Sequence, residues 1–539
     1  MQPGEYSASS LNTMQRMTLM RRAREALQRN PKNVDALTTL ASLHAADGAL
    51  LEALDCLVRA LALRKKDPDI LNRLVSCASD AKLHAKAKMY ARKLCDVQPR
   101  NPDNWVKYGQ ILQSSGNPQQ AIKAFEMVHR LDPADPDCLE NIGRCHANMG
   151  DHDEAARWYE KALEKDPNHT MALYGLGNDR KFQPELVDPY LERLLPAIEA
   201  EADKAARAIL CYSAGKVLDD TRRHDEAFPW YRQANDLRLP AEPKDFRHTF
   251  DNLVGSVTRE FLSSRKDWGV ATSQPVFIFG MPRSGTTLTE SICAAHSSVT
   301  AADELEYMTV LWQSFGRDSD QAGGFRASLE RMTQKEVHGV GEAYLNLSKQ
   351  VSGETPHFTD KMPHNFINAG LIRLAFPNAR LIHVRRHPLD NCLSLYFNSM
   401  RAYHNDYKTD LTRLGLYYRQ YLRLMEHWRA VMPGQMLEIC YEDLVANTEL
   451  NARAIISHLG LQWEDTVMDR NRSQGSVKTL SGWQVRQPVY QSSKGKWRNY
   501  EKHLGPLIDA LGSHVEAYER ELEQMSASNS DAARAGAAQ

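Results

Sequence analysis

Apolar positions recur at a fixed interval in the first third of the chain. Leucine or tryptophan stands at positions 34 residues apart, namely Leu37, Leu71, Trp105, Leu139 and Leu173. Glycines follow the same interval at Gly48, Gly116 and Gly150, and Lys82 takes the corresponding place in between. A glycine in such a place ends one helix and turns the chain into the next. The pattern therefore predicts an array of stacked helix pairs.

The spacing within each window resembles the tetratricopeptide repeat. The fullest matches are Trp105, Gly109, Ala121, Phe125 and Pro133, then Leu139, Gly143, Ala155, Tyr159, Ala162 and Pro167. Small residues such as Gly109 and Gly143 let the first helix approach the second, while Phe125 and Tyr159 fill the groove against the next repeat. A further copy, with Gly215, Ala227, Tyr231 and Ala234, extends the predicted helical array to about residue 239.

The pattern changes at Pro275, where short β-branched or aromatic runs begin to alternate with helical stretches. Residues 275–279 are predicted to form a first strand, 379–384 a later buried strand, and 436–441 another. This alternation is typical of a parallel sheet with crossover helices. The expected fold class is thus a tetratricopeptide α-solenoid followed by a P-loop-like α/β domain with a parallel sheet.

Length supports a division into several parts. At 539 residues the chain exceeds the size at which one hydrophobic core stops growing. We expect an amino-terminal segment (1–19), a repeat domain (20–240), a connecting helix or linker (241–274), an α/β domain (275–525) and a disordered tail (526–539). The tail is assigned to disorder because it is rich in Ser, Ala and Asn.

The charge balance narrows the class of partner. Lys and Arg number 67 against 68 Asp and Glu, which gives a formal net charge of -1. Nucleic acids and membrane surfaces attract positive charge, so neither is an expected partner. The nine cysteines form no C-x-x-C pair, and the sequence shows neither a run of 18 apolar residues nor a signal-peptide pattern. A cytoplasmic location is the expectation.

A glycine-containing loop follows the first strand. Gly280 and Gly285 enclose four residues and precede Thr286 and Thr287, which nearly reproduces the P-loop pattern G-x-x-x-x-G-K-[ST] without its lysine. Such a loop points backbone N–H groups and the positive end of a helix at one anionic group. The missing lysine suggests a ligand with no γ-phosphate to hold, and Arg283 offers a planar set of donors to a terminal tetrahedral anion.

A second candidate phosphate site lies about a hundred residues further on. Arg386 follows a predicted strand, and Ser394 comes eight residues later in the next helix, so both could reach one phosphate. Together the two segments resemble the sulfotransferases that use 3′-phosphoadenosine-5′-phosphosulfate (PAPS). In that family P-[RK]-S-G-T-T-[LW] and R-x(3)-D-x(3)-S occur in the same order. The resemblance covers roughly residues 275–522, is closest to the tyrosylprotein and bacterial branch, and implies a sulfotransferase with PAPS as its donor.

The resemblance implies which residues hold this donor. Those matching the site for the 5′-phosphosulfate are Arg283, Ser284, Gly285, Thr286 and Thr287, and those matching the site for the 3′-phosphate are Arg386 and Ser394. Tyr441, in Y-E-D-L, is expected near the nucleotide. A late segment, Gln484-Val485 followed by G-K-W, is expected to close over the cofactor, with Lys496 contacting it.

The resemblance also implies a catalytic base. Glu304 lies 17 residues beyond Thr287, where the tyrosylprotein branch carries a catalytic glutamate in G-E-E, and is expected to take the proton of the acceptor hydroxyl. The surrounding residues depart from that branch. Ala302 stands where the branch has a glycine before the glutamate pair, and Leu305 and Glu306 stand where it has a threonine and a basic residue after the catalytic glutamate. Because that basic residue helps to hold acidic peptides, its loss argues against an acidic tyrosine peptide as the acceptor.

A lysine is expected to assist the leaving group. Lys361 matches the lysine of the K-x-P segment and would contact the oxygen that bridges phosphate and sulfate. His364, three residues later, is a competing base and ranks below Glu304 because it falls on no known histidine motif of the family. The anionic donor would meet four positive charges, from Arg283, Arg386, Lys361 and Lys496, so no metal is expected.

Several alternatives stay open from the sequence. The chain could be a P-loop kinase or nucleotide hydrolase, although the lysine and a clear metal-binding acid are missing. It could also be a repeat scaffold with an inactive sulfotransferase domain. The repeats could hold a protein or peptide acceptor, or could instead only form a homodimer or cover the sulfotransferase domain, and the sequence does not identify the acceptor.

Overall fold

A computed structural model of the chain describes residues 13–242, 245–315, 331–349, 351–399, 406–469 and 494–537. Its first part is a helical array. After α1 (Thr13–Arg29) come four helix pairs: α2 (Val34–Ala46) with α3 (Leu50–Leu63), α4 (Pro68–Asp80) with α5 (His84–Val97), α6 (Pro102–Ser114) with α7 (Pro118–Leu131), and α8 (Pro136–Met149) with α9 (His152–Lys165). The predicted repeat architecture is confirmed.

The first helix of each pair begins on the same kind of cap. Asn33, Asp67, Asn101 and Asp135 lie 34 residues apart, and each side chain accepts a backbone hydrogen bond from the first helical turn. The latter three are followed by a proline at the start of the helix, where its missing N–H is not needed. Periodic caps therefore set the length of each repeat.

The turns within the pairs share a left-handed backbone. The φ angles are 74° at Gly48, 57° at Lys82, 72° at Gly116 and 87° at Gly150. Lysine pays a conformational cost there that glycine does not. The turn nevertheless forms at Lys82 with the same left-handed backbone.

Small residues allow the paired helices to approach. A Cβ atom added to Gly109 would lie 2.6 Å from the Phe125 ring, and one added to Gly143 would lie 2.7 Å from the Tyr159 ring. Both aromatic rings are buried. The same relation returns at Gly215 and the Tyr231 ring, at 2.9 Å, which places the late copy in the array.

The array ends with four helices and a connection. These are α10 (Thr170–Asn178), α11 (Val187–Ala200), α12 (Lys204–Asp220) and α13 (His224–Asp236), followed by α14 (Arg247–Ser256) and α15 (Arg259–Ser263). A short 3-10 helix, Pro184–Leu186, interrupts the repeat pattern before α11. Helices α12 and α13 pack together as the last pair of the array.

The second part of the chain is built on a parallel sheet of five strands in the order β2-β3-β1-β4-β5. The strands are β1 (Pro275–Phe279), β2 (Val299–Ala301), β3 (His357–Asp360), β4 (Arg380–Arg385) and β5 (Met436–Cys440). The three predicted strands are present with ends shifted by one residue at most, and the predicted fold class is confirmed.

Helices surround this sheet. They are α16 (Thr286–Ala294), α17 (Tyr307–Phe315), α18 (Gln334–Ser348), α19 (Asn365–Ala375), α20 (Pro388–Tyr396), α21 (Leu411–Val431), α22 (Tyr441–Ala446), α23 (Thr448–His458), α24 (Gly505–Leu511) and α25 (His514–Ala537), with 3-10 helices at Asp406–Thr409, Asp465–Met468 and Lys496–His503. Helix α25 extends through most of the segment 526–539 for which the sequence predicts disorder, because alanines there favour a helix.

The repeats pack directly on the α/β domain. At one end Lys82 lies 3.5 Å from Glu306, and at the other the Tyr231 ring stacks on Phe397 with centroids 3.8 Å apart. One hydrophobic cluster of buried residues runs through both parts. None of the helices described above combines the length and hydrophobicity needed to cross a bilayer.

Candidate functional site

The candidate site lies at the carboxyl ends of β1, β3 and β4. Strand β1 is flanked by β3 on one side and β4 on the other, so the chain leaves the sheet in opposite directions here. Open parallel sheets bind ligands at such a switch point. The phosphate loop follows β1, the segment with Lys361 follows β3, and the segment with Arg386 follows β4.

The phosphate loop forms a tight cradle at the start of α16. The backbone is left-handed at Arg283 (φ 70°) and at Gly285 (φ 108°). The Ser284 side chain is 1% exposed, and its hydroxyl oxygen has no hydrogen-bond partner among the described residues. A buried polar atom without a partner is costly. The loop therefore offers a donor and a helix N-terminus to an anion, which fits a phosphosulfate group.

The second predicted segment closes on this loop. Arg283 Nε donates to Ser394 Oγ at 3.2 Å, and Arg386 Nη1 donates to the backbone oxygen of Arg283 at 3.1 Å. Asn391 Nδ2 donates to the oxygen of Pro282 at 3.0 Å. The structure thus brings the two halves of the predicted nucleotide site together in one interlocked cluster.

Tyr441 packs against the same loop. A Cβ atom added to Gly285 would lie 2.5 Å from Tyr441 Cδ2, so only glycine allows the ring this close. The guanidinium carbon of Arg386 lies 5.0 Å from the centre of the Tyr441 ring, a cation–π contact. Tyr441 therefore lies between the two phosphate segments.

Glu304 and Lys361 are in direct contact. Lys361 Nζ donates to Glu304 Oε1 at 2.8 Å and to Asp303 Oδ1 at 2.9 Å. The Lys361 side chain is fully buried, whereas that of Glu304 is 43% exposed. Burial alone would lower the pKa of Lys361, but the carboxylates of Glu304, Glu290 and Asp303 outweigh burial and raise it. The lysine is therefore a fixed cation, and Glu304 faces the opening of the site.

Glu290 supports this pair and is a residue that the sequence reasoning missed. Its Oε1 accepts from the hydroxyl of Thr359 at 2.7 Å and from the backbone N–H of Asp303 at 3.2 Å. Asp303 itself has φ 63°, a strained backbone for a non-glycine residue. Burial raises the pKa of Glu290 to about 7, although Lys361 opposes the shift. A glutamate one turn into the apolar helix α16 was the available signal.

Lys496 takes a different partner. Its Nζ forms an ion pair with Asp219 at the end of α12, in the repeats. The neighbouring backbone N–H groups of Gly495 and Trp497 donate to Asp390, which lies between Arg386 and Ser394 in the sequence. Asp390 belongs to the R-x(3)-D-x(3)-S pattern, yet neither it nor Asp219 was singled out from the sequence.

Two further expectations concern the edge of the site. His364 is the N-cap residue of α19, with Nε2 3.5 Å from the Tyr407 hydroxyl, and its role as a competing base stays a prediction. The segment around Gln484-Val485 lies outside the described residues.

Comparison with known proteins gives matches in both parts of the chain. Residues 275–465 match the model of the "Sulfotransferase family", and residues 112–176 match a "Tetratricopeptide repeat" model. An "Uncharacterized protein" of Aquifex aeolicus (strain VF5) is 30% identical over 421 residues, which cover 76% of this chain and 54% of the relative. This chain therefore spans about half the length of that relative.

Two animal proteins match a shorter part of the chain. "Protein-tyrosine sulfotransferase 2" of Gallus gallus is 25% identical over 273 residues, covering 44% of this chain and 68% of that protein. "Protein-tyrosine sulfotransferase A" of Caenorhabditis elegans is 25% identical over 251 residues, covering 44% and 65%.

Proposed function

We propose that this chain, which joins a sulfotransferase-family domain to tetratricopeptide repeats, transfers the sulfuryl group of PAPS to a hydroxyl acceptor. The observation that carries the proposal is the interlocking of Arg283 with Ser394 and of Arg386 with the phosphate loop. Two phosphate segments that meet in this way suit a nucleotide with anionic groups at both its 3′ and 5′ positions.

Individual residues would hold the donor as follows. Arg283, Ser284 and the N–H groups of Gly285, Thr286 and Thr287 would bind the 5′-phosphosulfate. Arg386 and Ser394 would bind the 3′-phosphate, since Arg386 carries its charge in a planar fork suited to phosphate oxygens. Tyr441, next to both segments, would pack against the nucleotide.

The donor supplies an activated sulfuryl group on a phosphate leaving group. When the acceptor oxygen bonds to sulfur, the bond between sulfur and the bridging oxygen breaks, and the electron pair stays with the departing nucleotide. Glu304 would take the acceptor proton, since its carboxylate is the exposed member of the pair. Lys361 would donate a hydrogen bond to the bridging oxygen, where negative charge grows.

The contact between Glu304 and Lys361 is compatible with these two roles. Lys361 also bonds Asp303 at 2.9 Å, so the ammonium group keeps a counter-ion when Glu304 turns towards an acceptor. Lys361 is fully buried, so its ammonium group is shielded from solvent, whereas Glu304 is partly exposed. This arrangement separates the proton-accepting group, at the opening, from the charge-stabilising group beneath it.

The acceptor is proposed to be a protein or peptide. Tetratricopeptide arrays commonly present a concave surface to extended peptides. In this chain the repeats touch the catalytic domain both at Glu306, two residues after Glu304, and at Ser399, five residues after Ser394. A polypeptide held by the repeats would therefore be close to the site.

The test begins with nucleotide binding and sulfuryl transfer. The wild type should bind 3′,5′-adenosine bisphosphate, the desulfated product, in a thermal-shift titration, and should transfer label from PAPS into protein of a cell extract. Lys361→Met should keep the binding and lower the transfer rate roughly a hundredfold, because it removes the positive charge that would stabilise the leaving group. Arg386→Ala should weaken the binding, whereas Arg453→Ala, on the exposed face of α23, should change neither.

Two results would contradict the proposal. One is a wild type that is not stabilised by the bisphosphate but is stabilised by ATP with magnesium, which would favour a kinase or hydrolase. The other is a wild type that binds the bisphosphate and transfers no label to any fraction, which would favour a scaffold without catalysis.

A further inference from the structure

The segment Lys496–His503 and the residue before it lie between the repeats and the second phosphate segment. On the side of the catalytic domain, the N–H of Gly495 donates to Asp390 Oδ2 at 2.6 Å, and the N–H of Trp497 donates to Asp390 Oδ1 at 2.9 Å. Asp390 is 3% exposed and lies on α20 between Arg386 and Ser394. The backbone around Lys496 is thus fastened to the helix that is proposed to hold the 3′-phosphate.

On the side of the repeats, the partner is Asp219 near the end of α12. Its Oδ2 is ion-paired with Lys496 Nζ, and its Oδ1 accepts from the Tyr500 hydroxyl at 2.6 Å. His224 Nδ1 lies 3.5 Å from the same Oδ1. One carboxylate of the repeat domain therefore contacts two side chains of this 3-10 helix, those of Lys496 and Tyr500.

This carboxylate is a fixed negative charge. The Asp219 side chain is only 8% exposed. Burial would raise its pKa, but the contacts with His224, Lys496 and Tyr500 lower the pKa to about 2. Asp219 is therefore ionised at neutral pH, and Lys496 is its counter-ion.

Aromatic stacking holds the interface independently of this charge. The Phe228 and His503 rings stack with centroids 4.3 Å apart, and Tyr231 stacks on Phe397 at 3.8 Å. Substitution of Asp219 by its neutral isostere should consequently leave the two domains in contact.

We propose that Asp219 is a positioning residue through which the repeats shape the nucleotide site: it orients Lys496 so that the ammonium group serves the 3′-phosphate of the donor. A lysine ammonium carries three N–H donors, so it can bond Asp219 and a phosphate oxygen at once. This inference rests on the proposed function, because the 3′-phosphate that Lys496 would bind belongs to the proposed donor. It makes the repeats part of the donor site in addition to any role in holding an acceptor.

The experiment compares two nucleotides that differ only in the 3′-phosphate. Calorimetric titration of the full chain should show that Asp219→Asn lowers the affinity for 3′,5′-adenosine bisphosphate about tenfold and that for 5′-AMP less than twofold, since only the former meets Lys496. The KM for PAPS should rise with little change in kcat. Asp219→Glu, which keeps the charge and moves it by one methylene, should give an intermediate loss and serves if the asparagine variant fails to fold.

Two controls separate this role from a merely structural one. Asp225→Asn removes an ion pair with Lys502 in the same interface, where the side chains are 69% and 62% exposed, and should leave both affinities unchanged. Lys496→Met should show the same selective loss by itself. Adding Asp219→Asn to that variant should then cost nothing further, because the two side chains act through one interaction.

The outcomes are distinguishable. The inference would be overturned if Asp219→Asn lowered the affinity for both nucleotides equally or lowered neither. A gain in affinity for the bisphosphate would also overturn it, because Asp219 would then keep Lys496 away from the 3′-phosphate. A wild type that binds the bisphosphate no better than 5′-AMP would instead refute the proposed 3′-phosphate site, and with it the basis for a role of Asp219.

Discussion

Replacing Glu290 by glutamine tests the electrostatics beneath the candidate catalytic pair. Glu290 is a buried carboxylate on α16 that accepts from Thr359 and Asp303, and it shares the negative charge around Lys361. Glutamine has nearly the same shape and keeps an oxygen that can accept both hydrogen bonds. Glu290→Gln therefore removes the titration of this group with little change in packing.

The sign and size of the effect follow from the raised pKa. Burial moves the pKa of Glu290 from its ordinary value of 4.5 to about 7. The folded state then binds the proton more tightly than the unfolded state, so stability is highest below pH 4.5 and is lost as the pH rises towards 7. At about 1.4 kcal/mol for each pH unit, the loss amounts to roughly 3 kcal/mol. The glutamine variant cannot lose this stability.

The assay is the melting temperature of the variant minus that of the wild type, measured between pH 4.5 and pH 8. The difference should rise with pH by about 6–12 °C, at roughly 2–4 °C for each kcal/mol in a domain of this size. The attraction between Lys361 and the ionised carboxylate is already contained in the pKa of about 7, because Lys361 lowers this pKa against the effect of burial. Asp360, also titrating near 7, is common to both proteins and cancels.

Glu336→Gln is the matched control. Hydrogen bonds from Thr333 in a capping box lower the pKa of Glu336, so its stabilising effect is lost as the pH falls. Its difference curve should therefore be nearly flat between pH 4.5 and pH 8. A flat curve for Glu290→Gln, or one that falls with pH, would refute the placement of Glu290 as a buried carboxylate that favours its protonated form.

Two substitutions of glycine give further predictions. Gly285→Ala should weaken binding of the bisphosphate at least tenfold in a thermal-shift titration, because its Cβ would lie 2.5 Å from Tyr441 at a φ of 108°. Gly339→Ala, with no atom within 4 Å of the added Cβ, should leave binding intact. Equal binding by the two variants would contradict the role of Gly285 in the phosphate loop. Gly143→Ala should lower the free energy of unfolding by about 1–3 kcal/mol, because its Cβ would clash with the Tyr159 ring, and the melting temperature should fall accordingly. Bisphosphate binding should stay unchanged, and a loss of binding would contradict the expectation that this contact serves only the packing of the repeats.

The repeats and the sheet were predictable because their sequence patterns are local. The 34-residue interval reports contacts within one repeat, such as Gly109 with Phe125, and those contacts recur in every copy. The resemblance to sulfotransferases and to tetratricopeptide repeats is confirmed by the family matches. The same interval assigned Lys82 to a turn position, and Lys82 adopts the left-handed backbone of the glycines at the equivalent positions.

The candidate site could be predicted where its residues belong to family motifs. Arg283 and Ser394 belong to motifs, and the structure brings their side chains to 3.2 Å across 111 residues of sequence. Glu290 was missed because its role depends on contacts with Thr359 and Asp303, which the order of strands creates. The pairing of Lys496 with Asp219 joins two domains across 277 residues, and no periodicity or spacing reports such a contact.

The end of β3 bears on the choice between sulfuryl transfer and a nucleoside triphosphate reaction. P-loop phosphotransferases place a lysine in the phosphate loop and a metal-binding aspartate at the end of a strand. Here Thr286 takes the place of that lysine, and Asp360, which ends β3, is fully buried and accepts from the Tyr344 hydroxyl at 2.7 Å. Burial raises the pKa of Asp360 to about 7, and its carboxyl group is already engaged by the Tyr344 hydroxyl. The next residue, Lys361, instead brings a buried positive charge to this edge of the sheet, which suits a leaving oxygen stabilised by an ammonium group.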